Sequence, residues 1–260
     1  MSVSGSGGVA AVVEAMRLRL DCMTSAQSTH RDFLSTYQRT TGAVAEAIDR
    51  GVFEDASWVE AWDVAFARLY LDALDADLSG AGRVSRPWRL AFDAPTELPA
   101  LRHVLLGINA HINYDLPQAL LAVISDEEFD DPVVLGLRRR DHGRIDAVLS
   151  ARVAAESREL ASRSAMALLD RILQPLNRRA SKRFLSEARQ KVWHNTLALQ
   201  AARRLGPEAY AVRLGELEVL SAARIADLLA PGHVLLRLGV SGFGIVLPPA
   251  ATGEQMSKHD

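Results

Sequence analysis

The sequence contains very little cysteine and no long uninterrupted run of apolar residues. Its one cysteine, Cys22, excludes an intramolecular disulfide and any zinc site made of several thiolates, which suits a reducing compartment. No stretch reaches the roughly 20 consecutive apolar residues that a membrane-spanning helix needs. The N-terminus lacks the charged segment and apolar core of a signal peptide. We therefore expect a cytoplasmic protein without a membrane span.

An excess of charge of either sign is also missing. The chain has 30 Lys and Arg residues and 32 Asp and Glu residues, which gives a formal net charge of −2. A near-neutral chain with interspersed charges has no basic field for nucleic acid, so we expect no nucleic-acid partner. The 260 residues, 48% of them hydrophobic, suffice for one sizeable core, and we expect a single domain.

Several motifs of known chemistry are absent. The chain has no nucleotide-binding glycine loop, no G-x-S-x-G motif of serine hydrolases and no H-E-x-x-H motif of zinc proteases. It also has no Glu-x-x-His pair, which is the signature of ferritin-like di-iron bundles. Any metal site in this chain must therefore be built from a different pattern of ligands.

The chain is organised around residues 101–124, LRHVLLGINAHINYDLPQALLAVI, which are apolar on nearly every face. This pattern predicts a buried helix, and Pro117 predicts a kink between Asn113 and Pro117. We predict an all-α, single-domain, irregular helical bundle around this Pro-kinked helix, unlike ferritin. Its expected parts are a disordered N-terminus and a helical metal-binding domain, followed by a C-terminal extension, at residues 1–8, 9–232 and 233–260.

Helical periodicity and capping signals also predict the neighbouring elements. The expected helices span residues 9–22, 32–49, 57–78, 133–173, 182–204 and 207–229. Ser57, with Glu60 three residues later, predicts the N-cap of the third of these. The Gly and Pro residues of segment 79–99 predict a long loop, and the acidic segment 125–132 predicts a solvated loop.

Polar side chains inside the predicted buried helix need partners, because an unpaired buried polar group costs about 1–3 kcal/mol. These side chains belong to His103, Asn109, His111, Asn113 and Asp115. His111 and Asp115 are one turn apart on one face, with Gly107 one turn before them, and an imidazole and a carboxylate at that spacing can ligate one metal ion. The alternative is a hydrogen-bonded network in the core.

Other segments offer further candidate ligands. Asp63 adjoins a stripe of aromatic residues in the third helix, His142 is one turn before Asp146, and His194 adjoins Trp193. A solvated Asp63 is the alternative at the first position, and pairing of the acids with nearby arginines is the alternative around residues 138–146. His103 lies eight residues before His111, about 12 Å along a helix axis, so it suits hydrogen bonding to a ligating carboxylate better than direct binding to the same ion.

The phrase LLGINAHINYDLPQA resembles the hallmark of a mainly actinobacterial family of helical proteins, most of them uncharacterised. Supporting resemblances lie in VFEDASWVEAWDVAFARLYLDAL, RRDHGRIDAVL, EARQKVWHNTLAL and LLAPG, so the likeness covers most of residues 9–232. The position of His142 is aromatic in many relatives, and the region around His30 is not typical. Within the family, the chain is similar to the nonheme diiron monooxygenases of bacterial diterpenoid biosynthesis, which hydroxylate precursors of platensimycin and platencin.

This resemblance implies an activity and a set of site residues. It implies two iron ions, O2 as co-substrate, an external electron donor and an apolar, diterpenoid-type substrate. The metal ligands or their supports that match the family are Asp63, His103, His111, Asp115 and Asp141. His142 and His194 are particular to this chain, and we expect them as further ligands of a gained or enlarged metal site. We expect Asn109 and Asn113 of the matching phrase, together with Trp88 and Phe92, to bind substrate. If the chain is an oxygenase, the loop 79–99 should cover the pocket, and Arg86 or Arg89 should meet an acidic end of the substrate.

Two other functions compete with this one. Helical zinc hydrolases, such as phosphoesterases and phospholipases, also gather His and Asp side chains from several helices and use a metal-bound hydroxide as nucleophile. A non-catalytic helical binding protein would use the buried His and Asp side chains only as a structural network.

Overall fold

The computed structural model describes residues 7–159, 178–232, 238 and 242–250, and the regular secondary structure of these residues is entirely helical. The predicted all-α bundle is confirmed. The α-helices are α1 Gly7–Cys22, α2 Ser28–Asp49, α3 Ala56–Ser79, α4 Arg86–Phe92, α5 Ala100–Ala110, α6 Leu116–Val123, α7 Asp126–Asp130, α8 Pro132–Glu159, α9 Arg178–Leu205 and α10 Pro207–Leu229. A 3-10 turn, Ser25–Gln27, precedes α2, and a π-helical turn, His111–Asp115, joins α5 to α6.

The predicted central helix is present and buried. Its side chains of Leu106, Ala110 and Leu120 are completely inaccessible to solvent. Helix α5 packs against α2 and α10, whereas α6 packs against α3 and α9, so the central helix has neighbours on all sides. No helix of the described residues is both long and apolar enough to cross a membrane.

Two predicted loops contain helices. Segment 79–99 includes α4, which begins with Pro87 in its first turn and buries Trp88 and Phe92 one turn apart. The sequence does not predict this short helix, because Pro and Gly residues on both sides of it are typical of a loop. The acidic segment 125–132 forms α7 because Ser125 and Glu128 make a capping box and Arg138, Arg203 and Arg204 pair with its carboxylates.

The ends of several elements differ from the predicted ones. Helix α1 begins at Gly7, inside the expected disordered segment, and residues 1–6 lie outside the described residues. The N-cap of α3 is Asp55, not Ser57, and its carboxylate accepts the backbone N–H of Trp58 at 3.0 Å. The part of the predicted helix 133–173 beyond Glu159 lies outside the described residues. In the expected C-terminal extension, residues 242–250 have no regular secondary structure.

Candidate functional site

The central helix changes its hydrogen-bond pattern where the polar residues concentrate. The backbone N–H of Leu116 donates to the carbonyl of His111, five residues earlier, and residues His111–Asp115 form a π-helical turn. Pro117 follows directly and has no N–H for the carbonyl of Asn113. The predicted kink is thus a π turn, a feature that occurs often at functional sites.

His111 and Asp115 form a buried pair across this turn. Nδ1 of His111 lies 2.9 Å from Oδ2 of Asp115, and the indole N–H of Trp88 donates to the same oxygen at 2.8 Å. An indole can only donate, so this oxygen accepts from Trp88, and an ionised Asp115 also accepts from Nδ1–H of His111. That tautomer leaves a lone pair on Nε2 of His111.

Burial sets the charge of this pair. His111 and Asp115 are only 3% and 2% exposed. Burial lowers the pKa of His111, against the opposing influence of Asp115, so the imidazole is neutral. Burial also raises the pKa of Asp115, although the hydrogen bonds from His111 and Trp88 counteract that rise.

Aromatic rings enclose the imidazole of His111. The ring of Phe66 stacks on it with a centroid separation of 3.5 Å and an interplanar angle of 5°. The ring of Tyr37 meets it edge-on at 4.6 Å. Phe33, Tyr70 and Trp88 lie at centroid distances of 5.9 to 6.0 Å. We call His111, Asp115, Trp88, Tyr37, Phe66 and Asp63 the buried centre.

Three polar side-chain atoms of the buried centre have no hydrogen-bond partner among the described residues. They are Nε2 of His111, Oδ2 of Asp63 and the hydroxyl of Tyr37. Burial raises the pKa of Asp63 to about 7. Tyr37 is related to both side chains. Its ring contacts His111 edge-on, and burial, with a smaller contribution from the charge of Asp63, raises the pKa of its hydroxyl.

The other face of the central helix carries Asn109 and Asn113, both predicted to bind substrate. The Asn113 amide donates to the carbonyl of Phe243 and accepts the N–H of Ile245, both at 3.2 Å. It also donates to the side chain of Asn109, which itself donates to Leu105. These two amides therefore hold the C-terminal segment 242–250 and the helix itself.

Of the other predicted substrate-binding residues, Trp88 is part of the buried centre. Phe92 is buried one turn further along α4, where its ring stacks between those of Trp88, at 5.2 Å, and His30, at 4.7 Å. Helix α4 is therefore anchored to the core by both aromatic residues.

His103 and Asp141, both predicted as ligands, have all their polar atoms engaged by protein groups. Nδ1 of His103 lies 3.2 Å from Asp32, and Nε2 lies 3.0 Å from the carbonyl of Pro95. The two oxygens of Asp141 accept the backbone N–H groups of Glu54 and Asp55 at 2.9 and 2.7 Å. These contacts stabilise the turn before α3 and the segment after α4.

His142 and His194 lie outside the buried centre. His142 is buried between the edges of Trp62 and Trp193, its Nδ1 has no partner among the described residues, and burial lowers its pKa to about 3. His194 is exposed and donates from Nε2 to the carbonyl of Leu247 at 3.1 Å. A depression of about 420 Å³, lined in part by His194 and Trp193, lies between α8 and α9.

Sequence reasoning misses Tyr37 and Asn195. Tyr37 counts in the sequence only as an apolar position of the second helix. The Asn195 amide accepts the N–H of Leu247 and donates to the carbonyl of Ile245, at 2.9 and 3.0 Å. Helical spacing places Asn195 on the same face as the apolar Val192 and Leu199. A polar residue on an apolar face is the sequence signal that indicates its buried role.

No three His, Cys, Asp or Glu side chains among residues 7–159, 178–232, 238 and 242–250 lie together in a group that could hold a metal ion. Of the predicted ligands, the structure brings together His111 and Asp115, with Asp63 beside their aromatic neighbours.

A family model described as "Family of unknown function (DUF5995)" matches residues 9–231. The chain belongs to this family. No curated protein and no solved structure matches it. The DUF5995 match includes every residue of the buried centre, whereas the C-terminal segment 242–250 that Asn113 and Asn195 hold lies beyond it.

Proposed function

We propose that this protein is a nonheme iron monooxygenase that hydroxylates an apolar small molecule, and that it binds metal in the buried centre. His111 is the proposed imidazole ligand and Asp63 the proposed carboxylate ligand. The reaction takes O2 as co-substrate and electrons from an external donor. The resemblance of LLGINAHINYDLPQA to its family hallmark supports the reaction class. The chemistry of the buried centre supports the assignment of the metal site to these residues.

The observation that carries the proposal is the state of His111. Its Nδ1 is held by a carboxylate, its Nε2 has no partner, and its burial keeps the ring neutral. Metal-binding histidines are commonly oriented in this way, with one ring nitrogen donating to a carboxylate and the other free for the ion. In His103, by contrast, both ring nitrogens lie within hydrogen-bonding distance of protein groups.

The chemical types of the available ligand side chains suit iron. A neutral imidazole and a carboxylate are both ligands of nonheme iron, and the buried centre supplies one of each without a partner among the described residues. The resemblance implies two iron ions. The described residues contain no group of three potential ligands, so the support for two ions comes from the resemblance alone.

The side chains of the buried centre have separate roles in this proposal. Asp115 orients His111, and Trp88 in turn fixes the oxygen of Asp115 that does so. The rings of Phe66 and Tyr37 exclude water from the imidazole and offer an apolar environment to a hydrocarbon substrate. When bound, iron would supply the activation of O2.

Metal analysis after anaerobic reconstitution with ferrous iron tests the proposal. We expect about one iron per chain or more, and O2 uptake when a reductant is added. Less than about a tenth of an iron per chain after reconstitution contradicts it. Retention of zinc in place of iron, with hydrolysis of phosphodiesters in the absence of O2, would favour the hydrolase instead.

A non-catalytic helical binding protein is the second candidate, and one observation favours it. The described residues contain no group of three potential metal ligands, whereas the depression between α8 and α9 is large enough for a small molecule. Ligand binding and stability that survive the combined change His111→Ala and Asp115→Ala would support this second function.

A further inference from the structure

The depression between α8 and α9 has the size of a small-molecule site and a positive lining. Its volume is about 420 Å³. The lining residues are Arg139, Arg189, Gln190, Trp193, His194 and Leu197. They include two guanidinium groups, one indole and one aliphatic side chain, and none of these six is acidic. Sites for small organic ligands typically combine a volume of this order with apolar walls and a few polar groups.

Arg139 differs from the arginines beside it on α8. Arg138 and Arg140 both pair with carboxylates, at 2.5 and 3.0 Å. The guanidinium of Arg139 instead lies over the ring of Trp193, 5.4 Å from its centroid. Among the residues that the structure describes, no carboxylate pairs with Arg139. Arg139 therefore lines the depression with a charge that no carboxylate of the described residues neutralises.

Buried polar atoms lie at the wall and behind it. Trp193 is 5% exposed, and its indole N–H has no partner in the described part of the chain. His142 lies edge-on behind Trp193 at a centroid distance of 5.7 Å, and its Nδ1 is likewise without a partner there.

We propose that this depression is a binding site for an organic anion, an apolar molecule that carries one carboxylate group. Arg139 pairs with the carboxylate, Arg189 lies in the same wall, and Trp193 and Leu197 contact the apolar body. The two arginines lie on α8 and α9, whereas sequence reasoning expected Arg86 or Arg89 of α4 for such a group. The site goes beyond the proposed oxygenase function, because binding there needs neither metal nor O2.

Calorimetric titration of the full-length, metal-free protein with decanoate tests the site, with decan-1-ol as the uncharged control. We expect one decanoate per chain, bound at least about tenfold more tightly than decan-1-ol. Arg139→Gln should weaken decanoate binding about tenfold or more and leave decan-1-ol binding unchanged. Arg140→Gln is the matched control, and it should bind decanoate as the wild type does.

Three results would overturn the site. They are no decanoate binding below about 1 mM, equal affinity for decanoate and decan-1-ol, and equal weakening by Arg139→Gln and Arg140→Gln. Because the protein is metal-free and binding is the readout, a failure of iron binding elsewhere in the chain leaves this test unaffected.

Discussion

Nδ1 of His111 lies 2.9 Å from Oδ2 of Asp115 across a π-helical turn, and both side chains are almost completely buried. With an ionised Asp115 as the acceptor, this contact places the hydrogen of the imidazole on Nδ1. It leaves Nε2 as a lone-pair donor that faces no protein partner among the described residues. The proposal of a metal in the buried centre depends on this one relationship.

Trp88→Phe should destabilise the protein by about 1.5–3 kcal/mol, because it removes the N–H that donates to the carboxylate of Asp115. The free energy of unfolding in urea measures this loss. Trp193→Phe is the matched control, since Trp193 is also buried but its N–H has no partner in the described part of the chain. Equal losses in the two variants would show that the Trp88 hydrogen bond contributes little.

Gly107→Ala should destabilise the protein by about 1–3 kcal/mol, because the added methyl group overpacks the core. A Cβ atom at Gly107 would lie 2.5 Å from ring atoms of Phe33, which is the group that the glycine admits. At Gly215 of α10 a Cβ atom would meet nothing within 4 Å, so Gly215→Ala should raise stability by about 0.5–1 kcal/mol through helix propensity. Thermal unfolding of both variants measures the contrast, and a harmless Gly107→Ala would contradict the close packing.

Asp63→Asn should change how the stability of the metal-free protein depends on pH. The unfolded carboxyl ionises near pH 4, whereas burial raises the pKa of folded Asp63 to about 7. Between these two pH values the folded state holds a proton that the unfolded state has lost. The contribution of this carboxyl to the free energy of unfolding is therefore complete below pH 4 and disappears as the pH rises through 7. The free energy of unfolding falls by at most about 4 kcal/mol over this pH range because of Asp63.

Urea unfolding between pH 4.5 and 8 measures this contribution. Relative to the wild type, Asp63→Asn should become progressively more stable as the pH rises. Asp72→Asn, at an exposed position of the same helix, is the control and should show no such trend. A constant difference between Asp63→Asn and the wild type would mean that Asp63 is ionised over the whole range.

The sequence predicts the central helix well because its signal is local. Apolar residues on nearly every face can be buried only by neighbours on all sides, and Pro117 removes a specific backbone donor. The π turn is less predictable, because a missing N–H can be accommodated by a bend, by water or by a wider turn. Helix α4 is missed for a similar reason: its stability comes from burying Trp88 and Phe92, not from its own seven residues.

The hydrogen-bond partners of the candidate site residues are hard to predict from the sequence, because many of them lie far away along the chain. His103 is paired with Asp32, and Asn113 holds the backbone of Ile245, which lies 132 residues later. Neither contact has a sequence pattern of its own. The pairing of His111 with Asp115 could be predicted because the two residues are one turn apart, but the free state of Nε2 required the surrounding rings to be placed.

The iron content of His111→Ala, compared with that of His103→Ala, tests the central claim most directly. Both variants remove a buried histidine from the same helical segment, and circular dichroism checks that each remains folded. After reconstitution with ferrous iron, His111→Ala should retain less than about a tenth of the wild-type iron, whereas His103→Ala should retain most of it, because both nitrogens of His103 already face protein groups. Full iron content in folded His111→Ala, or equal loss in the two variants, would contradict the assignment of His111 as a metal ligand.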